Sequence, residues 1–316
     1  MISRRLIRIK VFKVFFSSIK SESNSFIATE KELLRSCDKT LELYYFLMSL
    51  PYALKKVANE RIEVGLKKYH PTEEEANPNY RFVNNRVISI LENDPDIIPF
   101  CQKRGLNWQE HSSFVKKLYT QLLSRDYFVN YMNSLEDSFE NDLKFIISFF
   151  ENELEDSSDL ETIIEDANLF WTDDLAFVLN VIISKITLLK ESSKKVYHPE
   201  VFLKDEDRDF ALRLLNVSMM RYNEYLDLIS QYILNWEVDR LASTDVILII
   251  MGIVEAVAFP NIPIKVTINE YVEISKYYST QNSKTFVNGI LDKVLATLLE
   301  SGGIEKTGRG LVELSE

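Results

Sequence analysis

Apolar residues recur every three or four positions along most of this chain, which is the spacing that lines one face of an α-helix. Residues 3–20 show the pattern first. At about 100° per residue, their apolar stripe falls within one quadrant and comprises Ile7, Val11, Val14 and Phe15. Lys10 and Lys13 project away from that quadrant, so the sequence predicts an amphipathic helix with its lysines off the apolar face.

A basic ridge runs beside the apolar stripe of this helix. Arg4 and Arg8 stack one turn apart, and Arg5 lies three residues from Arg8. Guanidinium groups suit phosphate because they are planar and donate hydrogen bonds in pairs. The ridge is therefore a candidate anion-binding surface, although three arginines are equally typical of a solvated helix end.

Helical spacing continues through the remaining chain. Residues 29–32, Thr-Glu-Lys-Glu, form a capping-box pattern that predicts the start of a long helix toward Tyr69. Residues 70–79 hold three consecutive glutamates and two prolines, which indicates a loop. From 80 to 195 the pattern is again helical and rich in paired aromatics. The last part predicts four helices, at about 206–219, 220–235, 239–259 and 264–298, with a break near Ser279.

No segment shows the strict alternation of a β-strand, and only 8 Gly and 8 Pro punctuate the 316 residues. Chains so poor in turn-forming residues usually run in long helices. The fold class is therefore predicted to be all-α. A hydrophobic fraction of 46% and a charged fraction of 27% are ordinary for a globular protein of one large or two smaller domains.

Acidic and basic residues are distributed unevenly along the chain, so the net charge alone does not describe its surface. A total of −11 argues at first against a nucleic-acid partner. However, residues 134–174 hold fourteen Asp and Glu against the single Lys144, a net of −13 that leaves about +2 for the rest of the chain. The first twenty residues carry six Lys or Arg and no acid. This segregation permits a local anion-binding surface on an acidic protein.

The sequence offers little support for catalysis or metal binding. Cys37 and Cys101 are read as reduced thiols, and the three histidines are scattered without a second ligand at metal spacing. The glycines outside the tail are too far apart for a phosphate-binding loop. The acids of 151–166 are typical of a solvated face. We therefore expect no enzyme activity, no cofactor and no metal.

No membrane segment or leader is predicted. Lys10 and Lys13 interrupt the apolar residues of the N-terminus, which makes it a poor signal peptide. The longest apolar run, residues 246–254, is about half of what a bilayer needs. We expect a cytoplasmic protein without a membrane partner.

Three motifs in the last third of the chain are more specific. Residues 263–276 read Pro-Ile-Lys-Val-Thr-Ile-Asn-Glu-Tyr-Val-Glu-Ile-Ser-Lys, and residues 283–293 read Ser-Lys-Thr-Phe-Val-Asn-Gly-Ile-Leu-Asp-Lys. Upstream, residues 235–242 read Asn-Trp-Glu-Val-Asp-Arg-Leu-Ala. The three motifs resemble the C-terminal pattern of the NusB family, and the arginine-rich start resembles that family's opening helix. The resemblance is strong over 205–299 and moderate over 1–65.

The resemblance implies a fold of two small helical bundles, with the N-terminal arginine helix completing an RNA surface. It implies binding to a single-stranded antitermination element, boxA, in nascent ribosomal RNA, together with the ribosomal protein NusE. That complex would join other Nus factors on RNA polymerase. Arg4, Arg5 and Arg8 are then expected to contact phosphates. Weaker candidates for contact with bases or backbone are Lys265, Asn282, Ser283, Lys284 and Phe286, whereas the residues assigned to the fold are Asn269, Asn288 and Asp292.

Relative to typical members of that family, the chain has a long addition. We therefore predict a helical insertion over 70–200, acidic in 134–174, between an N-terminal part (1–69) and a C-terminal bundle (201–300). Residues 301–316 are expected to form a flexible tail. Ser279 stands where the family commonly has Gly, and Ile250 where many members have Arg. A partner surface is possible on the helix from Asp239 to Glu255.

Two other functions stay open at this point. NusB-like domains also begin some ribosomal RNA cytosine methyltransferases, but those need a second doubly wound domain with a Gly-rich loop and a catalytic Cys. In this chain both Cys precede the C-terminal motif. The second alternative is a helical protein-interaction scaffold that has lost RNA binding and docks a partner through the acidic insertion.

Overall fold

A computed structural model describes residues 1–21, 25–233 and 242–311 of the chain. Those residues form α-helices and short 3-10 turns without any strand, which confirms the all-α prediction. The helices are α1 (Arg4–Lys20), α2 (Phe26–Met48), α3 (Leu50–Leu66), α4 (Glu73–Ala76), α5 (Arg86–Glu92), α6 (Ile97–Arg104), α7 (Ser112–Leu122), α8 (Asp126–Asn133), α9 (Phe139–Asn152), α10 (Ser158–Ala167), α11 (Leu175–Thr187), α12 (Asp205–Met220), α13 (Tyr222–Ser230), α14 (Ser243–Ala258), α15 (Ile264–Tyr278) and α16 (Ser283–Glu300).

The chain divides into two compact units. Unit 1 comprises Met1 and residues 38–201, and unit 2 comprises residues 2–37 and 202–316. The second boundary between the units lies at 201/202. The first lies at 37/38 instead of 69/70, because α3 packs against α5 and α7 through buried Leu54 and Ala58. The end of α2 and all of α3 therefore belong with the segment that the sequence treated as an insertion.

The start and length of the second helix also differ from the prediction. Helix α2 begins at Phe26, where the Ser25 hydroxyl accepts the backbone N–H of Ala28 at 3.3 Å. The Thr29 hydroxyl donates to the Ser25 carbonyl instead of capping a helix. The long helix expected to reach Tyr69 breaks at Ser49, because Pro51 fits the first turn of a new helix but not the interior of an old one.

Unit 1 is built around stacked aromatic rings. The ring of Phe46 stacks on Trp108 with centroids 3.9 Å apart and on Trp171 with centroids 5.6 Å apart. Trp171 donates its indole N–H to the Lys39 carbonyl at 2.7 Å. Because the dense aromatics of this segment are buried in helices, the segment is a packed body and not a loose linker.

Unit 2 is centred on α14, whose side chains are buried from Asp245 to Ala256. A Cβ at Gly252 would stand 2.8 Å from a methyl of Leu291, so glycine allows α16 to approach α14 closely. Although α14 carries the longest apolar run, none of the described helices is long and apolar enough to cross a membrane.

Residues 306–310, which lie within the predicted flexible tail, contact the C-terminal end of α14 and the turn that follows it. The buried Lys306 ammonium donates to the carbonyls of Ala256 at 2.7 Å and Phe259 at 3.3 Å, which satisfies the C-terminus of α14. Gly310 lies so close to the Pro260 carbonyl that a Cβ would clash at 2.1 Å. Residues 312–316 lie outside the described part.

A buried ion pair joins α1 to α14. Arg8 donates from Nε and Nη2 to the two carboxylate oxygens of Glu255, at 2.7 and 2.8 Å. The exposed fractions of the two side chains are 5% and 0%. Glu255 also accepts the hydroxyls of Thr267 at 3.0 Å and Tyr271 at 3.1 Å, both on α15. One carboxylate therefore collects donors from two other helices.

Burial and the neighbouring Glu255 carboxylate shift the pKa values of Arg8 and Tyr271. Burial lowers the pKa of the Arg8 guanidinium, but the hydrogen bonds and charge of Glu255 outweigh burial and raise that pKa above its ordinary value. Burial, followed by the charge of Glu255, raises the pKa of Tyr271 well above its ordinary value, so its hydroxyl remains a donor.

We predict that Glu255→Ala lowers the free energy of unfolding by about 3–5 kcal/mol, because the Arg8 charge is left buried without a partner. Glu224→Ala, which removes the partner of the partly exposed Arg221 in the same unit, should cost no more than about 1 kcal/mol. Urea unfolding measures both changes, and amide hydrogen exchange should show α1 and α14 losing protection together in Glu255→Ala. Similar small losses in both variants would contradict the assignment.

Candidate functional site

The three arginines of the basic ridge each reach a carboxylate on a different helix of unit 2. Arg4 pairs with Asp207 of α12 at 3.0 Å, Arg5 with Glu270 of α15 at 2.8 Å, and Arg8 with Glu255 of α14 at 2.7 Å. The exposed fractions of the arginine side chains are 44%, 55% and 5% in the same order. The ridge predicted from the sequence is thus present, and it also fastens α1 to the bundle.

The difference in exposure separates the three arginines by what they can reach. Arg4 and Arg5 present part of each guanidinium to solvent, and their carboxylate partners hold the side chains in fixed orientations. Arg8 is buried with 5% of its side chain exposed, and Glu255 accepts from both its Nε and its Nη2, so its guanidinium has no edge that a phosphate in solvent can reach. Arg8 therefore positions the helix, while Arg4 and Arg5 can meet an anionic ligand.

Acidic residues of α15 shape the potential beside Arg5. Partial burial raises the pKa of Glu270, but the hydrogen bond from Arg5 and the charges of Arg8 and Arg5 outweigh burial and lower it overall. Because the folded pKa lies below the unfolded one, this carboxylate stabilises unit 2 above the usual carboxyl range. The contribution is lost as the pH falls through the lowered pKa. Glu270 thus stays ionised near neutral pH.

Glu273 links this region to the start of α16. The hydrogen bond from Lys276, together with the charges of Lys276, Arg5 and Lys284, lowers the pKa of Glu273. Glu273 is therefore within electrostatic reach of basic groups on three helices. The surface along α15 alternates in sign instead of forming one continuous basic patch.

A strip of aromatic rings and lysines, formed by Lys13, Phe16, Lys20, Tyr277 and Tyr278, follows α1 and the end of α15. The Lys13 ammonium lies 5.5 Å from the ring centroid of Tyr278, and the Lys20 ammonium lies 5.6 Å from that of Phe16. Tyr277 is 81% exposed. Such rings can stack on unpaired bases while the ammonium groups meet the backbone.

The sequence interpretation missed this strip. It treated the lysines of α1 only as groups off the apolar face, and the structure shows that Lys10 is 4% exposed and that Lys13 is half-buried. The available signal was the pair Phe16 and Lys20, which stand four residues apart and therefore on one helical face. The contact of Lys13 with Tyr278 depends on tertiary packing and has no local signal.

The weaker contact candidates fall into different environments. Lys265, Asn282 and Lys284 are exposed, and Phe286 is half-buried. Ser283 is buried, and its hydroxyl donates to the Asp245 carboxylate at 2.7 Å. Ser283 therefore fixes the turn before α16 and can influence a ligand only through that turn.

The polar residues assigned to the fold, Asn269, Asn288 and Asp292, are exposed or half-buried. Asn269 is exposed on α15. Asn288 donates to Asp292 at 2.6 Å, one turn along the same helix. Their placement is at the surface, which leaves their side chains accessible.

Part of the suggested partner surface from Asp239 to Glu255 lies outside the described residues, as does most of the motif at 235–242. The described remainder, from Asp245 onward, is buried within unit 2. Those buried residues of α14 cannot offer a docking face without unfolding.

One group of possible metal ligands occurs in unit 1. Ligand atoms of Asp94, Asp96 and His198 lie within 4.8 Å of one another. Asp94 already accepts the His198 ring N–H at 3.0 Å and the Val196 backbone N–H at 2.8 Å. Burial raises the pKa of Asp94, but these bonds outweigh burial and lower it. Asp94 thus holds residues 196–198 in place, and its carboxylate oxygens are already engaged by these hydrogen bonds.

Comparison with known proteins covers the part of the site on α12 to α16, and the family match does not include α1. The NusB family model matches residues 176–296, which run from α11 to α16. The chain is 41% identical over 111 residues to the Transcription antitermination protein NusB of Salinibacter ruber, covering 34% of this chain and 69% of that protein.

Two further relatives carry the same name. The protein of Chloroherpeton thalassium is 35% identical over 122 residues, which covers 39% of this chain and 58% of that protein. The protein of Methylacidiphilum infernorum is 54% identical over 67 residues, which covers 21% of this chain and 47% of that protein. No solved structure matches the chain at a significant level. Because the similarity to a NusB protein extends over more than two thirds of that protein's length, the chain belongs to the NusB family.

Proposed function

We propose that this protein is a transcription antitermination factor that binds single-stranded RNA through unit 2. The name that all three relatives carry supports the antitermination role. One structural observation supports the RNA role most: Arg4 and Arg5 are held half-exposed on α1, the helix that also bears the aromatic and lysine strip. In this proposal the RNA is a boxA-type element of nascent ribosomal RNA.

Phosphate recognition is assigned to Arg4 and Arg5. Asp207 accepts from Nε of Arg4, and Glu270 accepts from Nε and Nη2 of Arg5, which leaves further N–H donors on each guanidinium. A phosphate can therefore join the outer edge of the group without breaking the ion pair. The carboxylates also orient both arginines before RNA arrives, which reduces the entropy lost on binding. Arg8 supports the site from within the core.

Base recognition is assigned to the aromatic and lysine strip and to the turn before α16. The exposed ring of Tyr277 and the half-buried ring of Tyr278 can stack on unpaired bases. Asn282 and Lys284 extend this surface, with Lys265 and Phe286 as further contacts. Ser283 contributes by holding the turn against Asp245.

Partner proteins complete the proposed complex. The ribosomal protein NusE binds together with the RNA, and other Nus factors join on RNA polymerase. A partner is physically useful because the chain has a net charge of −11 and a short exposed basic edge, so it makes few phosphate contacts alone. Binding and assembly make up the whole activity, and no bond is formed or broken.

The double variant Arg4→Ala with Arg5→Ala should weaken binding to every RNA sequence and flatten the slope of log affinity against log salt by about 1.4. Two phosphate contacts to a single strand are lost, while Arg8 and the helix remain. Fluorescence anisotropy with a boxA RNA at several salt concentrations measures the slope. The matched control, Arg61→Ala on α3 with Lys67→Ala directly after it, removes the same charge from unit 1. An unchanged slope in a folded double variant would exclude the arginines and favour the interaction-scaffold alternative.

NusE should raise the RNA affinity well above that of the protein alone. Linkage then requires RNA to raise the affinity for NusE by the same factor. Titration of RNA with and without NusE, and of NusE with and without RNA, closes the thermodynamic cycle. Equal RNA affinity in the presence and absence of NusE would show that the protein binds RNA without help from this partner.

A further inference from the structure

A groove of about 570 Å³ lies in unit 1 between α3, α6 and α7. A volume of this size is typical of a small-molecule pocket. A folded protein partner would instead need an extended contact surface. Its apolar lining consists mainly of Ala53, Val57, Ile98, Leu106, Trp108 and Val115. The RNA surface proposed above uses none of these residues, so the groove needs its own explanation.

The walls of the groove are fixed before any ligand arrives. The Trp108 indole N–H donates to the Phe46 carbonyl at 3.0 Å and lies 3.1 Å from the Ser49 hydroxyl. The Trp108 ring also stacks on Phe46 with an interplanar angle of 9°. Gly105, with φ of +69°, ends α6, and the Asn107 side chain accepts backbone N–H groups of the turn that follows. A preformed wall of this kind costs little ordering entropy when a ligand binds.

Two lysines give the groove its charge preference. Lys56 enters from α3 and Lys116 from α7. Their sequence neighbours Lys55 and Lys117 each hold a carboxylate at 2.6 Å. In the described ranges, by contrast, neither Lys56 nor Lys116 has a carboxylate at ion-pair distance. The Lys56 ammonium instead lies 4.3 Å from the ring centroid of Tyr52.

We propose that this groove binds a small anionic ligand with an apolar body, whose phosphate or carboxylate group is held by Lys56 and Lys116. The apolar body lies on the floor formed by Val57 and Trp108. Glu60 and Gln102, which also line the groove, can bond hydroxyl or amine groups of the ligand. Two ammonium groups match a ligand with one anionic group, whereas RNA binding relies on a larger number of phosphate contacts.

Anilinonaphthalene sulfonate is a suitable probe because it joins one anionic group to an apolar body, and N-phenylnaphthylamine is its uncharged counterpart. Fluorescence titration of the full chain measures both affinities. Lys56→Gln with Lys116→Gln should weaken sulfonate binding at least about tenfold and leave the uncharged probe within about twofold. The matched control, Lys67→Gln with Lys103→Gln, should change neither affinity.

A third variant tests the location. Ser112 is exposed at the start of α7 and lines the groove, so Ser112→Trp should obstruct part of it and weaken binding of both probes while the fold is kept. Affinity for the sulfonate that is unchanged in Ser112→Trp, or that falls equally in the two lysine variants, would overturn the proposal.

Competition identifies the anionic group. Displacement of the sulfonate by adenosine monophosphate indicates a phosphate-bearing ligand, and displacement by dodecanoate indicates a carboxylate-bearing one. Either result supports the proposal if it is lost in the double lysine variant. Displacement by a single-stranded RNA but by neither small anion would overturn it in favour of a nucleic-acid contact.

Discussion

A buried guanidinium must have a carboxylate partner, and this requirement governs unit 2. Leaving the Arg8 charge unpaired in the core would cost several kcal/mol, so α1 is held where Arg8, its fifth residue, meets Glu255. That contact fixes the rotation of α1 about its own axis. Arg4, one turn before Arg8, and Arg5 beside it are then directed to the surface near α12 and α15.

In the proposed function, the same pairs let an acidic protein present a selective anion-binding edge. Asp207 and Glu270 orient Arg4 and Arg5 and at the same time reduce the net positive potential. Their negative charge weakens the long-range attraction between unit 2 and any polyanion. The two guanidinium groups nevertheless stay oriented for a phosphate. Specific binding then depends on added contacts, which the aromatic and lysine strip and a protein partner supply in our proposal.

The spacing of apolar residues and the sequence motifs predicted helices whose bounds depend mainly on neighbouring residues in the chain. The apolar spacing placed α1 within a residue of its observed bounds, and the motif over 263–293 located α15 and α16. Side-chain partners were not predictable, because the carboxylates that meet Arg4, Arg5 and Arg8 lie at least 203 residues away along the chain. The division at residue 37 depends on packing of α3, which no local pattern reports.

We propose that RNA lies across the face of unit 2 that carries Arg4, Arg5 and the aromatic and lysine strip. Photo-crosslinking of a boxA RNA containing 4-thiouridine, followed by peptide mapping, tests this contact directly. The account predicts crosslinks in the peptides that carry Phe16 and Tyr277, reduced in Arg4→Ala with Arg5→Ala. Crosslinks confined to residues 38–201 would contradict it.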